Sequence, residues 1–365
     1  MSTDRARDEL HALTLPELTE RLVRESLSAH HARLVFQGLH RYGCRDYAEI
    51  PGISLACRGI LEKLPRPAEL RVDSAHQASD GTVKLRILTQ SGDAIESVII
   101  PGPHRMTLCV SSQVGCAAGC TFCHTATMGL LRNLSAWEIV EQYRLAECYL
   151  KENGGRGTRA LHISNIVFMG MGEPLHNEAN VLQACRILGE PVGAGIPKRH
   201  LVISTAGVGN RIRPVWEENV ASIALSLHAT TDETRSRIVP LNKQWNLSAL
   251  REILLEIPWR KREFIVIAYL LLNGVNDSRN DAARLAEWIR GIPVKVNLLE
   301  FNPFPGSAFQ RTSLERREEF RGWLDEFGVF NTLRVSRGDD VLAACGQLAV
   351  GGRKNQKHPA AKARS

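Results

Sequence analysis

No stretch of the sequence is long and apolar enough to span a bilayer. The longest apolar run, FIVIAYLLL (264–272), falls far short of the roughly 20 residues a spanning helix needs and reads as a buried strand. The opening MSTDRARDELHAL is too charged for a secretory signal, so a cytoplasmic protein with no membrane partner is expected. No internal repeat of convincing identity is present. Nor do the nine cysteines suit a disulfide framework; in a 365-residue chain of this kind they point to metal or catalytic work. Cys44, Cys57, Cys148 and Cys185 stand singly, and each is expected to be an ordinary buried thiol.

The most informative absence is a fourth cysteine. Cys116, Cys120 and Cys123 form a C-x3-C-x2-C pattern within GCAAGCTFCHTATMGLLRNL (115–134). Structural zinc asks for four closed ligands, usually from two knuckles. No second knuckle exists here, and His124 follows Cys123 too directly to join it at one metal. A [4Fe–4S] cube has four iron corners to ligate. Three thiolates from one loop hold three of them and leave the fourth iron open to bind and react with something else.

The composition, 44% hydrophobic and 23% charged, is that of a globular protein, and the length allows one large domain and a small one. Residues 1–66 read as a small helical bundle. Thr14 and Glu17 have capping-box spacing, and Leu18, Leu22, Leu27, Leu34, Leu39 and Leu61 supply its apolar positions. A break at LPRP (64–67) follows. Residues 67–103 then alternate apolar and polar side chains, with turns at Asp80-Gly81 and at Ser91 to Asp93, and read as a linking β-meander. From 104 to 349 six apolar strands recur: MTLCVSS, NIVFMGM, HLVIST, IALSLHA, FIVIAYLLL and VKVNLLEFN. Helix-like stretches separate most of them, the first opened by Ser135 and Glu138. This predicts an α/β fold, a partial (β/α)6 TIM-like barrel, closed or nearly so, behind a helical domain and a meander. Each strand ends in a polar or glycine-rich segment (SSQVGC, GMGEP, STAG, SLHA, LNGVND, EFNP), and these are expected to converge on one cavity.

The formal charge of +7 is informative mainly in its distribution. The tail GGRKNQKHPAAKARS carries five Lys/Arg and no acid, and KRH (198–200) and RSR (235–237) form local clusters. Residues 350–365 are expected to be a basic, disordered tail. Such a pattern fits a solvated end and equally fits a polyanion held through phosphate contacts.

The cysteine loop follows a strand, precedes a capped helix and places Phe122 before its last cysteine. In this it resembles the radical S-adenosylmethionine (SAM) superfamily, in which the open iron chelates SAM and reduction cleaves it to a 5′-deoxyadenosyl radical. The likeness then extends over most of the chain. LCVSSQVGCAAGCTFC, MGMGEPL, STAGV, SLHATTDETRSRIVPLNK, FNPFPG and RGDDVLAACGQLAV resemble the RlmN/Cfr family of adenosine methyltransferases. The resemblance implies a [4Fe–4S] cluster on Cys116, Cys120 and Cys123, and SAM bound at Gly172, Glu173, Ser204, Ser226, Leu227, His228 and Asn302. It implies that Cys345 becomes S-methylated, that Cys109 resolves an RNA adduct and that Glu96 accepts a proton. The substrate so implied is C2 of an adenosine in 23S rRNA, with tRNA a further substrate of some members; Cfr-type methylation at C8 is the alternative. A monomer served by an electron donor such as flavodoxin or ferredoxin is expected, with residues 1–66 recognising RNA. His124 stands where relatives usually carry a small residue and is expected to be a packed, neutral imidazole.

Chemistry gives a reason for two cysteines outside the cluster loop. C2 of adenine is electrophilic and poorly matched to the electrophilic methyl group of SAM. A Cys345 thiolate is a competent nucleophile and takes the methyl group first. A second SAM then supplies the radical that takes hydrogen from that S-methyl group, and the resulting carbon radical adds to the ring. Cys109 attacks the Cys345 sulfur and releases the methylated base by thiolate exchange. Glu96 is the candidate base for the ring proton, an exposed strand glutamate being the bland alternative. A glycyl-radical activase shares the cluster loop but has no need of Cys345 or a helical domain, and an electron-transfer protein would ligate all four irons itself.

Overall fold

The structure, a computed structural model, describes residues 10–64, 70–103, 105–153 and 162–350. The expected boundary near residue 66 and the basic tail from 351 onward lie outside the described residues.

Three helices open the chain: α1 (Leu15–Arg24), α2 (Ala29–Gln37) and α3 (Leu55–Leu61). The Thr14 amide and hydroxyl both donate to Glu17, at 2.8 and 2.7 Å, closing the expected capping box around the first-turn Pro16. Leu18, Leu22, Leu27, Leu39 and Leu61 are buried. Leu34 is only half-buried, because α2 turns Val35 and Phe36 inward instead.

The sheet begins with the meander β1 (Arg71–Gln77), β2 (Val83–Leu88) and β3 (Ala94–Pro101). Strand β4 (Met106–Cys109) leads to the short ribbon β5 (Gln113–Gly115) and β6 (Leu130–Asn133), then to helix α4 (Ala136–Asn153). Alternation follows through β7 (Ile163–Phe168), α5 (Glu178–Gly189), β8 (Leu201–Thr205), α6 (Gly209–Glu217) and β9 (Ser222–Ser226). Helices α7 (Asp232–Ile238) and α8 (Leu247–Glu256) precede β10 (Ile265–Leu271), and α9 (Arg279–Trp288), β11 (Val294–Glu300), α10 (Leu314–Glu326) and β12 (Asn331–Arg334) complete the series.

All six expected parallel strands are present, and β12 adds a seventh. Ten strands form one sheet in the order β1-β2-β3-β4-β7-β8-β9-β10-β11-β12. The meander is therefore not a detached linker: β3 pairs antiparallel with β4, setting Val98 opposite Cys109, and β4 pairs parallel with β7, setting Cys109 opposite Val167. With β1 and β12 as its ends, the sheet is an open, partial barrel. Strand β10 is buried almost throughout, as a parallel strand covered on both faces must be.

Two expectations from composition need correction. Arg235 of the RSR cluster is fully buried, and Lys198 of KRH is paired with Glu263 at 2.8 Å, so neither offers a free phosphate contact. Cys57 and Cys185 are buried as expected, but Cys44 and Cys148 are only half-buried.

The ribbon that launches the cysteine loop depends on one glycine. Gly115 sits at φ +77°, and a Cβ there would lie 1.8 Å from the Gly129 carbonyl oxygen, the acceptor of the Cys116 amide at 2.9 Å. Gly115→Ala therefore meets both a backbone clash and a left-handed penalty of about 1–3 kcal/mol. Melting curves are expected to show lower stability and iron analysis a loss of bound iron; wild-type values for both would contradict this role.

Candidate active site

The C-terminal ends of β7 to β11 surround a cavity of about 990 Å3, its mouth included. Cys116, Cys120 and Cys123 form one wall, and Cys345 reaches in from the C-terminal segment. Gly172, Glu173, Ser204, Ser226 and His228 line the remainder. The segments expected to converge after β7, β8 and β9 thus do so.

The three cluster-loop thiols are held against one another and against a carboxylate. Burial pushes Cys116 up to about 12, and Cys123 and Glu173 add repulsion. Burial also raises Cys120, with further repulsion from Cys123, Cys116 and Glu173. Among the described residues no three His, Cys, Asp or Glu side chains are gathered tightly enough for a single metal ion. A cube asks for something else, one thiolate on each of three iron corners, and three thiols on one cavity wall fit that demand. The cationic iron would favour the thiolates that burial alone disfavours.

The loop is fastened at several points. The Cys116 amide donates to Gly129 O and the Thr121 amide to Ile238 O, at 2.9 and 3.0 Å. Phe122 packs edge-on to His228, ring centres 4.9 Å apart. His228 itself has φ +58°, and its Nδ1 accepts from the Leu270 amide at 3.0 Å, which leaves the ring proton on Nε2. Burial, helped by Arg235, lowers its pKa to about 3. The LNGVND segment, expected in the cavity wall, instead braces this histidine from behind: Asn276 Nδ2 donates to His228 O at 2.6 Å and to Leu270 O at 2.6 Å.

Glu173 and Gly172 are fixed by backbone geometry. The Glu173 carboxylate accepts from the Ala206 amide at 2.7 Å and the Leu175 amide at 3.0 Å. Burial raises its pKa, and these donors oppose the rise. Gly172 has φ +106°, and a Cβ there would meet Gln113 Cβ at 2.6 Å and Ser112 Oγ at 2.8 Å, so only glycine brings this turn against the cysteine loop. Leu227 and Asn302 are buried but are not among the cavity-lining residues. Leu227 offers its carbonyl to Arg235 at 3.0 Å, whereas Asn302 Nδ2 donates to the Cys345 carbonyl at 3.2 Å.

That last bond belongs to a clamp that sets Cys345 beside the cluster loop. The His124 amide donates to Gly346 O at 2.7 Å, Thr125 Oγ1 donates to Leu348 O at 2.5 Å, and His124 Nδ1 lies 3.3 Å from Gln347 O. The His124 ring stacks on Phe304, 4.9 Å between centres and 9° from parallel. The expected packed imidazole is thus also a fastener. Gln347 is buried and donates to Pro303 O at 2.8 Å and Asp339 Oδ1 at 2.7 Å. Held this way, Cys345 is an exposed residue that lines the cavity. Desolvation there, with Cys123 adding repulsion, pushes it up to about 11.

Cys109, at the end of β4, is buried; burial raises its thiol pKa and the neighbouring Cys345 raises it further. Glu96 is not an exposed strand residue but 4% accessible. One carboxylate oxygen lies 3.4 Å from Lys84 Nζ and the other accepts the Ala349 amide at 3.1 Å. Lys84 also donates to Leu342 O at 3.2 Å, so the pair ties the meander to both sides of the Cys345 loop.

Sequence reasoning missed Arg235. Its guanidinium donates to Leu227 O at 3.0 Å, Asn242 Oδ1 at 2.9 Å and Ala206 O at 2.7 Å, cross-linking the exits of β8 and β9 beneath the cavity. Only the resemblance of the whole SLHATTDETRSRIVPLNK segment could have separated it from the exposed Arg237.

Two outcomes follow from this geometry. Unfolded histidine titrates near pH 6.5, so between about pH 3 and 6.5 the unfolded state binds the His228 proton and the folded state does not. Stability therefore rises with pH across that window and is lost as pH falls, by about 2 kcal/mol for this group at pH 5. Guanidinium midpoints at pH 7 and 5 are expected to differ less in His228→Gln than in wild type; equal differences would contradict the assignment. His124→Ala removes the stack and one fastener of the Cys345 loop. It is expected to keep its iron and SAM KM while Cys345 S-methylation, read by peptide mass spectrometry, slows about tenfold or more, with partial recovery in His124→Phe. Unchanged methylation in the alanine variant would leave the loop to Asn302 and Thr125.

Comparison with known proteins agrees with the site. Residues 110–286 match the Radical SAM superfamily. The chain is 40% identical to the dual-specificity RNA methyltransferase RlmN of Paracoccus denitrificans, covering 98% of this chain and 94% of that protein. It is 42% identical to RlmN 2 of Myxococcus xanthus, covering 91% and 88%. A solved radical SAM methyltransferase from Sphaerobacter thermophilus superposes with a TM-score of 0.85 at 39% identity, covering 93% of this chain and 98% of that one. Membership implies a [4Fe–4S] cluster and SAM, the two groups that the open cavity and its three thiols suit. The chain belongs to the RlmN family of radical SAM methyltransferases.

Proposed function

We propose that this enzyme methylates C2 of an adenosine in 23S rRNA, and an adenosine of tRNA as well, by way of an S-methyl group carried on Cys345. The observation that carries this reading is the place of Cys345 in the wall of the cluster-loop cavity, close enough to the buried Cys109 to raise its thiol pKa further. The relatives are dual-specificity RNA methyltransferases by name, which supports two RNA substrates. Cys116, Cys120 and Cys123 would hold the cluster, and Glu173, Ser204, Ser226, His228 and their neighbours would hold SAM. When bound, the cluster supplies the electron that cleaves SAM to a carbon-centred radical.

The chain's own residues divide the remaining work. Cys345 accepts a methyl group by displacement: its sulfur forms the new S–C bond, the sulfonium C–S bond breaks, and the thiol proton is released. A thiol held near pKa 11 is a weak nucleophile, and a cationic methyl donor entering the same cavity favours the thiolate that attacks it. The clamp from His124, Thr125 and Asn302 keeps that sulfur in reach of the reacting centre. Glu96, a buried carboxylate beside the Cys345 loop, is the proposed acceptor of the ring proton. Cys109 then attacks the Cys345 sulfur, the bond from that sulfur to the bridging carbon breaks, and a Cys109–Cys345 disulfide remains. We assign electron delivery to a flavodoxin or ferredoxin, RNA recognition to the N-terminal helices, and activity to the monomer.

Cys109→Ala separates release from every earlier step. Cys345 is expected to become methylated and to add to the adenine, leaving protein joined to RNA through a methylene bridge. Denaturing gels, nuclease digestion and peptide mass spectrometry read that adduct. Free turnover by the variant would return Cys109 to the role of a packed strand residue.

A further inference from the structure

A second cavity, of about 690 Å3 with its open mouth included, lies between the segment that follows α2 and one face of α4, away from the thiols of the cluster loop. Its lining is strongly cationic. Arg41, Arg45 and Lys151 line it, all three are exposed, and none forms an ion pair among the described residues. The two acids in the wall are engaged: Glu141 by Arg144 at 2.8 Å, and Glu147 by the Ile163 amide at 2.6 Å. His40, also in the wall, is 7% accessible, and its Nε2 has no hydrogen-bond partner. The ring is set by packing on Phe36, 4.4 Å between centres. Burial, with repulsion from His11, lowers its pKa to about 3, so the ring is neutral and its buried Nε2 is left without a partner in the cavity wall.

An unsatisfied buried nitrogen calls for a partner, and three free cations at the same cavity call for an anion. A bare inorganic anion would meet the cations and leave His40 unanswered. A nucleotide answers both, because its phosphate is anionic and its base edge carries neutral donors and acceptors. Helix α4, which forms one wall, is bolted on another side to the cavity of the cluster loop: Gln142 accepts from the Ser111 amide at 2.8 Å and donates to Ser111 O at 2.9 Å, two residues beyond Cys109.

We propose that this cavity is a second RNA site, which takes one nucleotide of the substrate RNA other than the adenosine being methylated, with its phosphate on Arg41, Arg45 and Lys151 and its base against His40. The proposal rests on the reading that RNA is the substrate.

The test uses the cluster-loaded enzyme, kept anaerobic, with a 23S rRNA fragment as probe. Arg41→Gln/Arg45→Gln is expected to weaken RNA binding at least tenfold and to flatten its logarithmic salt dependence by about 0.7, one phosphate contact on a single strand. His40→Phe keeps the ring packing, removes only the buried, unpartnered Nε2, and is expected to weaken binding with the salt dependence unchanged. RNA-free methylation of Cys345 stays at the wild-type rate in all of these variants. Cys44 and Cys148 line the same cavity and are half-buried, so their alkylation by N-ethylmaleimide reports occupancy; the fragment is expected to slow it, and adenosine monophosphate at equal nucleotide concentration is not. Protection by the mononucleotide alone would make this a free-nucleotide pocket and overturn the proposal. So would wild-type affinity and salt dependence in the double variant of an enzyme that methylates RNA. If the wild-type enzyme itself neither binds nor methylates the fragment, it is the substrate reading that fails.

Discussion

Like-charge crowding governs this molecule. Three thiols and the Glu173 carboxylate share one desolvated cavity, where burial raises Cys116 and Cys120 and repulsion from Cys123 and Glu173 raises both further. Such a set is held together only where the backbone leaves it no alternative. Gly115 and Gly172 permit approaches that a Cβ would block, and Ala206 and Leu175 give the carboxylate two amide donors. Arg235, wholly buried, lies underneath as the nearest fixed cation, and its pKa falls to about 10 because burial outweighs the support of Cys120 and Asp232. A cavity of this character favours cationic occupants, and both groups implied by the family, an iron–sulfur centre and a sulfonium, bring positive charge to it.

Cys345 inherits the same constraint. Its loop carries no regular strand or long helix to hold it, so position comes from backbone carbonyls captured by side chains and amides of the cluster loop. His124, Thr125 and Asn302 each take one. Lys84 and Glu96 fasten the two flanks. Cys345 and the cluster loop are thereby one mechanical unit, although nearly the whole barrel separates them along the chain.

Much of this was legible beforehand because parallel strands buried on both faces read as unbroken apolar runs. MTLCVSS, FIVIAYLLL and their counterparts therefore stood out, while β12, an edge strand reading NTLR, did not. The ribbon β5–β6 is too short to carry a period. The segments that carry Glu173 and His228 followed from their place after strands, and the residues themselves from the family resemblance. Supporting residues did not, because their partners are backbone groups that sequence spacing does not reveal: Asn276 braces His228, and Asn302 holds Cys345 rather than facing the cavity. Glu96 and Arg235 misled in the same manner. Charged letters on a strand and in an RSR cluster suggest a surface, yet a diagonal pairing with Lys84 across β2 and β3, and five carbonyl and amide acceptors around Arg235, make both positions interior.

The central claim is that three thiolates leave one cluster position open for SAM. Electron paramagnetic resonance of the reduced, anaerobic enzyme tests it most directly. Adding SAM is expected to change the signal of the reduced [4Fe–4S] cluster, and Cys120→Ala to abolish both cluster and signal. A reduced cluster whose spectrum is indifferent to SAM would contradict the account, because every iron would then already have its ligand.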